Sequence, residues 1–179
     1  MTTTPDPTPA TPSGNDASGH DFSGTDPWAA LDAPPAPNAS GWVRQQLEDI
    51  HAAGTTDAAS VEGRRVVVLT MLGKSSGQVR EVPLMRVEHD GVYAAVASKG
   101  GAPEHPQWFH NLTAHPHLLL QDGSTVTRRV ARLATEAEHA EWWPRCVEAF
   151  PPYADYQVRT QRQIPVFLLE PLRPHAATA

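Results

Sequence analysis

The chain has 179 residues, and 40% of them are hydrophobic and 19% charged, which is enough for one ordinary core and argues against both a two-domain enzyme and a fully disordered chain. No Lys or Arg precedes Arg44, whereas five of the 20 acidic residues do, so the formal charge of −6 belongs mostly to the first stretch and the remainder is nearly neutral. A general nucleic-acid binder, which needs a clustered basic face, is excluded on that balance.

Cys146 is the single cysteine, which rules out an intramolecular disulfide and any multi-cysteine zinc site and fits a reducing cytoplasm. The start, MTTTPDPTPATP, has neither a basic nor an apolar region of the signal-peptide kind, and the longest apolar run, residues 66–72, is too short to span a bilayer.

Residues 1–37 hold eight of the 18 prolines and few large apolar groups, so they read as a disordered tail in which only Trp28 and Leu31 could pack. Val43, Leu47 and Ile50 then fall at helical spacing, behind the capping candidates Asn38 and Ser40 and ahead of Gly54. Residues 65–72, 79–87 and 92–98 read as a three-strand meander broken by GKSSG and by His89-Asp90-Gly91. A short helix over 106–114 follows the GGAP loop, and two strands, 118–121 and 125–133, are joined at Asp122-Gly123. Thr135 and Glu138 have capping-box spacing ahead of a stripe of Trp142, Trp143, Cys146, Val147 and Phe150; Pro144 should kink that helix and Pro151-Pro152 end it. A helical turn with Tyr153 and Tyr156 and a strand over 164–170 complete residues 38–172, leaving 173–179 as a C-terminal tail. About six antiparallel strands joined by tight turns, with peripheral helices, predict an α+β fold whose sheet closes into a small split β-barrel without free edges.

Both lysines sit in glycine-flanked turns. In GKSSGQVR, Lys74, Ser75, Ser76 and Arg80 bring two cations and two hydroxyls into one loop and the strand after it, the composition of an anion cradle and equally of a charged hairpin turn. A Walker A loop would need a glycine where Val68 stands, and there is no GxGxxG. In SKGGAPEHPQWFHNL, Ser98 and Lys99 precede a helix whose first N–H groups could face an anion, while Trp108 and Leu112 suit core anchors. His105, His110, His115 and His117 do not share a helix face, so no metal site is assigned, and Ser98 lacks the GxSxG setting of a hydrolase nucleophile. Tyr153 and Tyr156 share a face, as half-buried aromatics with wet tips often do.

Taken together, GKSSGQVREVPL, ASKGGAPEHPQWFHNL and FPPYADYQVRTQRQIPVFLLEP closely resemble the deazaflavin-dependent nitroreductase family of actinobacterial split-barrel oxidoreductases, over about residues 38–171. The resemblance implies coenzyme F420 as the cofactor, with FMN on the same barrel as the alternative. It places tail-side contacts at Lys74, Ser75, Ser76, Arg80 and Pro83, and ring-side and loop contacts at Ala97, Ser98, Lys99, Trp108, Phe109, Asn111 and Tyr153. It also implies hydride transfer from reduced deazaflavin to a quinone, enone or nitro acceptor, with Ser98, Tyr153 and Tyr156 as hydroxyls on the acceptor side; the alternative is a carrier that binds the coenzyme without turnover. This chain departs from the family at Ser75, where a second cation is usual, and at Phe109 and Phe150, where many members have tyrosine; the missing Phe150 hydroxyl favours quinones over nitroimidazoles. A homodimer and a peripheral membrane contact through the helix over 41–53 stay open, with a soluble protein favoured by that helix's mixed charge.

Overall fold

In β2 (Arg64–Leu72) the side chains at both parities are apolar, so this strand needs cover on two faces. The computed structural model, described over residues 26–172, supplies both. Residues 1–25 and 173–179, which the sequence assigned to tails, lie outside the described residues.

Besides β2, the strands are β1 (Ser60–Val61), β3 (Val79–Met85), β4 (Glu88–His89), β5 (Val92–Val96), β6 (His117–Asp122), β7 (Thr125–Leu133) and β8 (Val166–Pro171). All pairings are antiparallel, in the order β1-β2-β6-β7-β8-β5-β4, with β3 also paired to β2. β3 and β5 approach one another without a ladder, which leaves the strongly curled sheet open along that seam as a split barrel.

The expected meander is therefore corrected at its third strand. β5 pairs with β8, Tyr93 opposite Leu169 and Val96 opposite Val166, not with β3. Its residues Ala94 to Val96 are buried whichever way they point, so it takes an interior place beside the equally buried β8.

Alternation sorts the core into two layers. Val67, Leu69, Met71, Ala95, Ala97, Leu118, Leu120, Ala131, Phe167 and Leu169 converge inside the barrel, which α2 (Gln107–Ala114) closes with Trp108 and Leu112. On the outer face Val66, Val68, Ala94, Val96, Val166 and Leu168 lie beneath α1 (Gly41–Ala53), α3 (Glu136–Ala149) and α4 (Pro152–Val158). Each fully buried side chain such as Ile50 or Phe167 contributes roughly 1.5–3 kcal/mol over an exposed one.

Helix boundaries follow local chemistry. Gly54, at φ 72°, ends α1 by donating to the Ile50 carbonyl at 2.8 Å. At α3 the Thr135–Glu138 capping box is complete, and Arg132 grips Glu138 through two hydrogen bonds of 2.8 and 2.7 Å. The helix continues past Pro144 and ends at Ala149, just before Pro151-Pro152, with Trp142 and Cys146 in the core.

Candidate functional site

The site begins where β2 leaves the barrel. Gly73 donates to the Gln78 carbonyl and accepts from Gly77, folding residues 73–78 into a tight turn. A Cβ on Gly73 would lie 2.6 Å from Ser76 Oγ, so only glycine leaves that hydroxyl its place. Asn111, buried on α2, accepts the Lys74 backbone N–H at 3.0 Å and pins the turn to the helix that closes the barrel.

Between this turn, β3 and α2 lies a cavity of about 460 Å³, within the usual range for small-ligand sites. Lys74, Ser75, Ser76 and Arg80 form its polar part; Met71, Val82 and Trp108 form its apolar part. Among the described residues neither Lys74 nor Arg80 has a carboxylate partner, and Arg80 donates only to Gln78 Oε1, at 3.2 Å. The acidic residue of the same wall, Glu81, is by contrast engaged by His51 at 3.0 Å and by the Thr70 hydroxyl at 3.5 Å.

Six of the residues expected at the site, Lys74, Ser75, Ser76, Arg80, Trp108 and Asn111, are thus brought together. Pro83 sits in the β2–β3 ladder opposite Val68, outside the cavity lining. Phe109 stacks on His105 at 4.0 Å and meets Phe167 edge-on at 5.4 Å. Ala97, Ser98 and Lys99 follow β5, and Lys99 is turned to Glu104 at 3.6 Å.

Tyr153 and Tyr156 lie on α4, which packs directly on the turn at Lys99–Gly101. The approach is close enough that a Cβ on Gly101 would meet the Tyr156 carbonyl oxygen at 2.6 Å. Tyr153 and Tyr156 rings are 6.3 Å apart and edge-on, with Phe150 5.1 Å from Tyr153. Burial pushes the Tyr153 phenol well above its ordinary range, with the neighbouring Cys146 and Tyr156 adding to it, so it keeps its proton. Burial likewise pushes the Cys146 thiol up to about 12, which removes it from thiolate chemistry.

Arg162 is a residue the sequence reading missed. Its guanidinium donates to the carbonyls of Ala97, Ser98, Ala102 and Glu104 at 3.0–3.3 Å and reaches His105 Nδ1 at 3.2 Å, so one side chain holds the loop between β5 and α2. Nothing in a single sequence separates Arg162 from the exposed Arg159 nearby; the carbonyls it gathers are 58–65 residues away.

A profile of the F420H(2)-dependent quinone reductases matches residues 42–171. The chain belongs to that family. A Mycobacterium tuberculosis protein named as an F420H(2)-dependent quinone reductase is 34% identical over 107 residues, 58% of this chain and 71% of the relative. A second protein of that organism, provisionally given the same name, is 35% identical over 113 residues, covering 61% of this chain and 95% of its own length. Among solved structures, an F420-H2 dependent reductase is 52% identical with a TM-score of 0.56, covering 59% of this chain and 93% of that one. Another, described as a domain-swapped dimer, is also 52% identical, with a TM-score of 0.59 and coverage of 72% and 97%.

Membership in this family implies coenzyme F420 as the cofactor, and the residues present fit it. Two cations without carboxylate partners among the described residues and two hydroxyls suit its acidic phosphate and glutamate handle, Gly73 leaves the Ser76 hydroxyl its place in the turn, and Trp108 offers a flat apolar wall.

Proposed function

We propose that this chain is an F420H2-dependent oxidoreductase that reduces a quinone, with enones and nitro compounds as secondary acceptors. The observation that carries the reading is the cavity lined by Lys74 and Arg80, both free of carboxylate partners among the described residues, together with Ser75, Ser76 and Trp108. Cations left without partners beside hydroxyls are what a polyanionic handle needs, since charge-assisted hydrogen bonds are the stronger class.

Reduced coenzyme bound there would supply a hydride from carbon five of its ring. The protein's part is to place and to stabilise. Lys74 and Arg80 hold the handle; Trp108 bounds the apolar end of the cavity; Asn111 keeps the Lys74 turn in position. On the acceptor side we assign Ser98, Tyr153 and Tyr156, whose hydroxyls donate to the acceptor oxygen as negative charge gathers on it. A buried phenol that keeps its proton suits that role. Phe150, Tyr153 and Tyr156 form one aromatic cluster, and in the resemblance to the deazaflavin-dependent family the absence of a hydroxyl at Phe150 favours quinones over nitro compounds.

Pro83, Ala97, Lys99 and Phe109 belong to the proposed site as its surround, through the β3 wall and the loop that Arg162 fixes. A homodimer is part of this reading, supported by the solved relative described as a domain-swapped dimer. No helix among the described residues is long and apolar enough to cross a membrane.

The decisive experiment mixes purified protein with reduced coenzyme and menadione under anaerobic conditions and follows the return of the oxidised coenzyme's visible absorbance. Acceptor-dependent oxidation is expected. Binding of the coenzyme without oxidation across quinones, enones and nitroarenes would leave a carrier instead.

A further inference from the structure

Residues 26–39, of which 26–37 were assigned by composition to a tail, lie along the barrel wall and supply part of the cavity. Trp28 is 5% exposed and Leu31 4%. The Trp28 indole Nε1 donates to the Leu118 carbonyl at 3.1 Å, the ring meets His117 edge-on at 4.6 Å, and the Arg128 guanidinium lies 5.5 Å from its centroid. Asp26 binds both ends of this arrangement: one carboxylate oxygen accepts the Trp28 backbone N–H at 3.0 Å and the other pairs with Arg128 at 3.0 Å.

A second attachment lies further on. Ala36 donates its N–H to the Val79 carbonyl at 2.9 Å, and Asn38 Nδ2 donates to the Glu81 carbonyl at 3.4 Å, so the segment uses carbonyls of β3. Between the two attachments Pro34 and Pro35 restrict the backbone and reduce the entropy lost on holding it in place. The reach from Ala36 to Ala39 then forms one wall of the cavity that also holds Lys74 and Arg80.

We propose that residues 26–39 are a strap that walls in the coenzyme handle, and that Trp28 is the positioning residue that latches it. The inference rests on assigning the cavity to the coenzyme. Trp28 itself does not line the cavity, so its effect must pass along the chain to Ala36 and Asn38. With the strap in place the Lys74 and Arg80 contacts are shielded from water on one side; with it released they act in a medium of higher dielectric and lose strength. The strap therefore slows escape of the coenzyme and leaves hydride transfer to the groups already described.

The test uses the full chain and titrates oxidised coenzyme F420, with Trp28→Ala and Ala36→Pro as strap variants and Lys74→Ala as the cavity variant. Trp28→Ala is expected to raise the dissociation constant at least tenfold through faster release, and to raise the coenzyme KM by a similar factor while kcat changes less than twofold. Trp28→Phe, which keeps a ring but not the donor, should recover part of the loss. Ala36→Pro removes the donor at the cavity wall, with φ fixed there as it already is at Pro35 and Pro37, and should raise the dissociation constant at least threefold, which carries the test alone if Trp28→Ala does not fold. Strap variants that fold and bind within twofold of wild type, while Lys74→Ala binds poorly, overturn the strap and leave the cavity assignment standing. Normal binding by Lys74→Ala and Arg80→Ala removes the cavity assignment, and the strap's role falls with it.

Discussion

Asn111 on α2 accepts the backbone N–H of Lys74 at 3.0 Å, so the helix that plugs the barrel also sets the height of the basic turn. Asn111 is 4% exposed, and the bond it accepts is partly buried. Asn111→Ala leaves a donor without its partner and should cost about 1–3 kcal/mol of stability by chemical denaturation, with coenzyme affinity falling as the turn loosens. Asn111→Asp keeps an acceptor oxygen, so its stability should lie nearer wild type, while its carboxylate competes with the coenzyme's handle for Lys74 and still lowers affinity. Equal affinity in both variants and wild type would detach the turn from binding.

Arg80 and Lys99, equivalent in a reading of the sequence, are not equivalent in the structure. Arg80 lines the cavity with no carboxylate partner among the described residues, whereas Lys99 lies outside the lining and pairs with Glu104 at 3.6 Å. Arg80→Ala should weaken coenzyme binding by about 1.5–3 kcal/mol, the range for a charge-assisted hydrogen bond, and Lys99→Ala by distinctly less. Fluorescence titration of the two variants side by side checks the order; a larger loss at Lys99 would mean that the handle reaches the loop after β5.

What the sequence made legible is what short range decides. The first helix, the β2–β3 hairpin, the capping box at Thr135 and the GKSSG turn rest on spacing and turn chemistry within a few residues, and the structure has them all. The partner of β5 was not legible, because two apolar faces say only that a strand is interior, not which neighbour it takes. The strap was hidden by its own composition: a stretch rich in proline reads as tail until the carbonyl of Leu118, 90 residues away, gives the Trp28 indole a partner. Arg162 was hidden for the same reason, its role being the carbonyls it collects rather than anything in its neighbours.

The Arg162–His105 contact makes the loop between β5 and α2 sensitive to pH. His105 Nδ1 accepts from the Arg162 guanidinium at 3.2 Å, which requires the neutral ring. Burial, then the Arg162 charge, then His110 lower the His105 value below its ordinary 6.5. The folded state therefore prefers the unprotonated ring, and the unfolded chain takes up the proton first as pH falls. The stability this contributes is complete above the ordinary histidine value and is lost as pH drops through the depressed one. Coenzyme affinity and unfolding free energy should both begin to fall as pH drops below the ordinary histidine value of 6.5, above the range in which carboxylates titrate. His105→Gln, compared over the same window, should flatten that fall even though other histidines still titrate. Arg162→Lys tests the other partner: an ammonium cannot span the carbonyls of Ala97, Ser98, Ala102 and Glu104 as the planar fork does, so about 2–3 kcal/mol of stability should go, and the pH response should shrink because the charge facing His105 has moved. A pH response as steep in His105→Gln as in wild type would assign the effect to another histidine.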